Sequence, residues 1–153
     1  MLEFIPEKRF MLEAIELAKE AADCGEVPVG AVVVLDGKII GRGRNTREER
    51  NDPMGHAEIA AIHEASVNLA TWRLRGAELY VTLEPCPMCA GAIINSRIER
   101  VVFGLEDETM GACGTAVDLM KLKRAFRPKI FRCFMEDECR ELIRSFFDKL
   151  RTE

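Results

Sequence analysis

Two cysteines three residues apart, in Cys86-Pro87-Met88-Cys89, have the type and spacing to do chemistry. Residues three apart on a helix share a face, so both sulfurs can reach one metal ion. Pro87 suits a first helical position, where a missing N–H costs nothing. The cysteines then stand at a helix N-terminus, whose free amides and positive dipole end favour thiolates. The same motif after a strand also fits a thioredoxin-type redox pair or half of a structural zinc ribbon. A third donor separates these readings. Of only two histidines, His56 opens a helical segment in Gly55-His56-Ala57-Glu58, whereas His63 reads as an ordinary helix residue. Side chains two apart within a helix diverge, so His56 and Glu58 share a site only if it lies off the helix end, which the position of His56 allows.

With His56, Cys86 and Cys89 as ligands, a tetrahedral zinc keeps one open position, the pattern of a catalytic centre. A ribbon would need a second C-x-x-C, which Cys24, Cys113, Cys133 and Cys139 are too scattered to supply. Zinc lowers the pKa of water at an open position from about 15.7 to about 7. Glu58, beside that water without binding the metal, fits a proton shuttle to a ring nitrogen and a leaving amine. A non-catalytic zinc-stabilised RNA-binding subunit would not need Glu58. A redox protein would not need His56-Ala57-Glu58 at all.

The elements that must position these residues follow from hydrophobic spacing. Residues 6–24 carry Phe10, Ala14, Leu17, Ala18 and Ala21 at helical intervals, and Gly25 follows as a stop. Two strand-like runs, 29–35 and 38–44, flank Asp36-Gly37, a hairpin signal. Residues 45–55 read as a polar loop. A helix is predicted over 56–69, a strand over 78–82, a short helix over 87–95 and a strand over 100–103. After a glycine-containing loop, 104–115, come a strand near 130–134 and a helix over 136–150, with Cys139, Leu142, Ile143, Phe146 and Phe147 on its inner face. This order, α-β-β-α-β-α-β-loop-β-α, predicts an α/β mixed sheet with helices on both faces. No repeat, linker or low-complexity tract divides residues 1–153, which read as a single domain.

Composition bounds the partners. The chain has 153 residues, 48% hydrophobic, enough for a core without disulfide staples. The six cysteines therefore read as two metal ligands and four small buried hydrophobes. No secretory signal or membrane-length apolar run is visible, so a cytoplasmic location is expected, with no membrane partner. The net charge of -4 weighs against a nucleic-acid partner, yet Lys121, Lys123, Arg124, Arg127, Lys129 and Arg132 fall between residues 119 and 135 with no acid among them. That run fits either a solvated loop or a phosphate-binding surface.

H-x-E followed by P-C-x-x-C is the signature of zinc-dependent nucleobase deaminases, bacterial tRNA adenosine deaminases included. Further stretches resemble the bacterial tRNA-specific adenosine deaminase family: Glu26-Val27-Pro28-Val29-Gly30-Ala31, Asn45, Asp52-Pro53, Leu79 through Ala92, Ser96-Arg97-Ile98, Val101-Val102-Phe103-Gly104, and the tail from Asp137-Glu138-Cys139 to Phe146-Phe147. The resemblance implies a cytidine-deaminase-like three-layer α/β/α sandwich with a five-stranded mixed sheet. It also implies one zinc per chain, a homodimer with no other protein partner, and hydrolytic conversion of adenosine to inosine at the wobble position of the tRNA anticodon arm. By resemblance His56, Cys86 and Cys89 bind zinc and Glu58 shuttles protons. Asn45 would hydrogen-bond the base or its sugar, Pro28 and Val29 would wall the purine, and the Cys86 amide would steady the attacking oxygen.

The sequence departs from that family at Phe126-Arg127-Pro128-Lys129, where an Asn-His pair is usual, and in the loop Met110-Gly111-Ala112-Cys113-Gly114-Thr115. Neither change touches the zinc ligands. Both bear on the substrate, and a deaminase of a free nucleobase, nucleoside or nucleotide, of the guanine or cytosine type, stands as the alternative.

Overall fold

A computed structural model describes residues 3–153. Helix α1 (Lys8–Asp23) buries Phe10, Met11, Ala14, Ile15, Ala18 and Ala21, the stripe expected from its spacing. The hairpin β1 (Gly30–Leu35) and β2 (Lys38–Arg44) turns at Asp36-Gly37, both at positive φ. A four-residue helix, α2 (Arg47–Arg50), interrupts the stretch expected to be loop. Next come α3 (Ala57–Leu69), β3 (Glu78–Leu83), α4 (Pro87–Ser96), β4 (Arg100–Leu105), a 3-10 turn at Leu119–Lys121, β5 (Lys129–Phe131) and α5 (Glu136–Thr152).

The sheet runs β2-β1-β3-β4-β5, with β1 antiparallel to both its neighbours and β3, β4 and β5 parallel. Alternation along the strands sorts the core into two layers. Ala31, Val33, Leu79, Val81, Val101 and Phe103 pack with Ala57, Ala61, Ala90 and Ile93 of α3 and α4. Val32, Val34, Tyr80 and Val102 pack with Phe10, Met11, Ala14 and Cys139 of α1 and α5. The expected α/β/α sandwich with a five-stranded mixed sheet is the observed fold.

Helix α3 lies unusually close to β2 because Gly41 and Gly43 face it. A Cβ at Gly43 would stand 2.2 Å from the Ala57 carbonyl oxygen. At the free side of β2, Glu64 Oε1 accepts the Arg42 N–H at 3.1 Å and Asn68 Nδ2 donates to the Ile40 carbonyl at 2.8 Å.

Three expectations need correction. The last strand is shorter and earlier than 130–134, because Cys133 and Met135 take positive φ and end the extended run. Helix α5 buries only Cys139 of its apolar stripe: Leu142, Ile143 and Phe146 are half-buried and Phe147 is exposed, since a groove lined by Leu142 and Phe146 stays open between α5 and α1. Nor are the four remaining cysteines alike, for Cys113 and Cys139 are buried, Cys133 is half-buried and Cys24 is exposed.

Candidate active site

The heads of α3 and α4 meet on one side of the sheet. His56 is the residue before α3, with an extended backbone (φ -98, ψ 147), so its ring leaves the helix axis and points off the end. That is the condition His56 and Glu58 needed to share a site. Cys86 stands in the same relation to α4, with Pro87 at the first helical position and Cys89 one turn inside.

His56 Nδ1 lies 3.5 Å from Cys86 Sγ and 3.5 Å from Cys89 Sγ, and the three donor atoms all lie within 4.8 Å of one another. A tetrahedral zinc about 2.05 Å from nitrogen and about 2.3 Å from sulfur separates such donors by about 3.5 Å. The three residues therefore fit a metal ion without rearrangement. The Cys86 thiol is pulled down to about 4 by its hydrogen bond with Cys89, aided by His56, while that shared bond and burial push Cys89 up. The bond to Cys86 also raises His56. Glu58 is 4% exposed, and burial pushes its carboxyl up to about 7, against the opposing charge of His56.

Asn45, Pro28 and Val29, assigned to the purine by resemblance, stand at the open end of the β1–β2 hairpin, where the Asn45 N–H donates to the Val29 carbonyl at 3.2 Å. Asn45 has both side-chain polar atoms engaged within the fold: Nδ2 donates to the Val27 carbonyl at 3.0 Å, and Oδ1 accepts the Ala57 N–H at 3.0 Å. It thus caps the first turn of α3 and fixes the approach of His56. Val29 is buried in the layer that contains Ala57, on the metal-ligand side of the sheet. Pro28 also lines a groove of about 780 Å³ between α1 and α5, with Leu12, Ile15, Leu142 and Phe146. A smaller cleft of about 270 Å³ joins Asn45 and Arg47 to Phe146 and Phe147 of α5.

Sequence reasoning gave no role to two acids that the fold buries. Glu26, 1% exposed, accepts the N–H groups of Glu48 and Glu49 and so caps α2 from a distance. Glu84, 2% exposed, gathers donors from the 106–118 loop. In the sequence each stood only within a stretch resembling the family, with no role attached. Of the basic residues near the C-terminus, Arg132 is engaged within the fold, donating to the Cys113 carbonyl at 2.7 Å and pairing with Glu106 at 3.4 Å. Lys121, Lys123, Arg124, Arg127 and Lys129 are exposed.

A sheet with helices on both faces, carrying a His-Cys-Cys donor set with a buried glutamate beside it, is the architecture of a zinc-type deaminase. The chain belongs to the MafB19-like deaminase family, which matches residues 5–151. It is 48% identical over 143 residues to the tRNA-specific adenosine deaminase of Bacillus subtilis, covering 93% of this chain and 89% of that protein. It superimposes on a structure solved for A-to-I editing by tRNA:A34 deaminases at the wobble position of transfer RNA with a TM-score of 0.85 and 42% identity, over 89% of this chain and 99% of the other. A guanine deaminase from B. subtilis aligns less completely, with a TM-score of 0.63 and 41% identity over 67% of this chain and 66% of that one.

Proposed function

We propose that this chain hydrolyses the wobble adenosine of a tRNA to inosine, with one zinc per chain. The observation that carries the reading is the convergence of His56, Cys86 and Cys89 at metal-binding distances beside buried Glu58. Full-length likeness to tRNA adenosine deaminases supports RNA over a free purine. His56, Cys86 and Cys89 would hold the zinc, which when bound supplies an acidified water at neutral pH. Glu58 takes one proton from the attacking water and gives it to the ring nitrogen, then carries the second, from the new hydroxyl, to the departing amine. A C–O bond forms at the amine-bearing carbon, the C–N bond breaks, and ammonia leaves. Burial raises the Glu58 carboxyl above the ordinary carboxylate range, which favours its taking up and returning protons. Asn45 acts through α3, holding its head so that His56 and Glu58 face the same space.

Residues 1–153 would act as one domain, in the cytoplasm, as a homodimer. Among the described residues no helix is long and apolar enough to cross a membrane. The deciding experiment incubates zinc-loaded protein with an anticodon stem-loop bearing a wobble adenosine and, separately, with free guanine, cytosine and nucleosides. Inosine in the RNA is the expected product. Deamination confined to a free base would overturn the substrate, and full activity in metal-free protein would overturn the mechanism.

A further inference from the structure

We infer that Glu84 is a positioning residue whose buried carboxylate, linked through Thr115 to Arg132, sets the 106–118 loop as a wall of the deaminase site. The inference rests on the reading of that site given above. Glu84 lies just past the end of β3, two residues before Cys86, and is 2% exposed. Its Oε1 accepts the Asp107 N–H at 3.2 Å and the Thr115 hydroxyl at 2.5 Å; its Oε2 accepts the N–H groups of Cys113 at 2.9 Å and Thr115 at 3.3 Å. Arg132 grips the same stretch from outside, donating to Thr115 Oγ1 at 2.6 Å and to the Cys113 carbonyl at 2.7 Å. The loop is thus held between a buried anion and a surface cation, with the Thr115 hydroxyl joining them.

The chemistry favours a carboxylate here. A buried charge is tolerated only when its lone pairs are filled, and a carboxylate is acceptor-only, whereas an amide would turn its own N–H groups against these donors. Gly111 passes directly over the group, where a Cβ would stand 2.6 Å from Glu84 Cδ. The held loop is tied to the segment that carries Cys86. Ala112 N–H donates to the Pro85 carbonyl at 2.8 Å, next to Cys86. Ala112 and Cys113 pack in one layer with Ala57, which follows His56, and Ala90, which follows Cys89. Cys113 is itself buried, and that burial pushes its thiol up to about 12.

The test uses zinc-loaded Glu84→Gln, compared with wild type for zinc content, amide exchange and steady-state kinetics on the anticodon stem-loop. Zinc content is expected to stay at wild type. Protection at Cys113 and Thr115 should fall by roughly tenfold to a hundredfold while amides of β3 keep theirs, the signature of local rather than global opening. KM for the RNA should rise roughly tenfold, and kcat at saturating RNA should change less. Glu84→Asp, which keeps the acceptor, should recover part of both effects. Should Glu84→Gln fail to fold, Thr115→Val removes the joining hydroxyl from a part-exposed position and should loosen the same amides. Unchanged loop exchange in the variants that fold, or a loosened loop with KM unaltered, would overturn the positioning role. A wild-type protein inactive on every RNA would sink the functional reading instead, and the exchange measurement would still judge the clamp.

Discussion

Glu58 shows how much one residue's role depends on where its helix begins. Farther along the same helix Glu64 is an exposed acid; in the first turn Glu58 is enclosed beside His56. Glu58→Gln should keep zinc but lower turnover by about a hundredfold or more, read by metal analysis and single-turnover assay. The same carboxyl carries a stability signature in chelator-treated protein. Its folded pKa of about 7 lies above the ordinary 4.5, so the folded chain binds the proton more tightly than the unfolded chain does. Stability from that proton is present below about pH 4.5 and is lost as pH rises through 7, on the order of 3 kcal/mol across the window. Denaturant titrations from pH 4.5 to 8 should show that decline in wild type and a smaller one in Glu58→Gln. The four residues of this centre were legible because their chemistry requires a local motif: an i, i+3 cysteine pair and a histidine two before a glutamate. Asn45 was legible only as important. Nothing in its neighbours indicated that its partners would be the Val27 carbonyl and the Ala57 amide.

At the scale of elements, the ends of helices do the positioning, and ends are where periodicity says least. Apolar spacing identified α1, α3 and α4 and the hairpin, because each buries a regular stripe. It could not identify α2, whose four residues bury nothing and whose cap, Glu26, comes from more than twenty residues upstream. It also overstated α5, since an amphipathic stripe records which face is apolar and not how much of that face is covered. Asn45→Ala removes two hydrogen bonds within the fold and leaves the Ala57 N–H and the Val27 carbonyl without these partners. A loss of about 1–3 kcal/mol is expected by urea unfolding, with weakened zinc affinity because His56 loses its fixed approach. A variant as stable and as tightly metallated as wild type would show that α3 holds its head without help.

For the molecule as a whole, net charge proved a weaker guide than its distribution. The chain totals -4, yet Lys121, Lys123, Arg124, Arg127 and Lys129 form an exposed basic stretch, with Arg132 withdrawn to hold the loop. Reversing Lys121, Lys123 and Arg124 to glutamate should weaken stem-loop binding and flatten its dependence on salt, by roughly 0.7–0.9 in log–log slope for each phosphate no longer neutralised. Arg132→Ala should act differently, raising KM with little change in slope, because its guanidinium serves Cys113 and Thr115. Affinities measured between about 50 and 200 mM salt, a range over which binding to phosphates is strongly attenuated, separate the two. The sheet's margins bear on assembly as well. The terminal strand β2 has its outward Arg42 N–H and Ile40 carbonyl taken by Glu64 and Asn68, and the opposite margin, β5, is only three residues long. A bare strand edge is the template on which sheets of separate molecules join and fibrils start. Here that template is partly occupied on one side and short on the other, which disfavours the joining of sheets between folded copies.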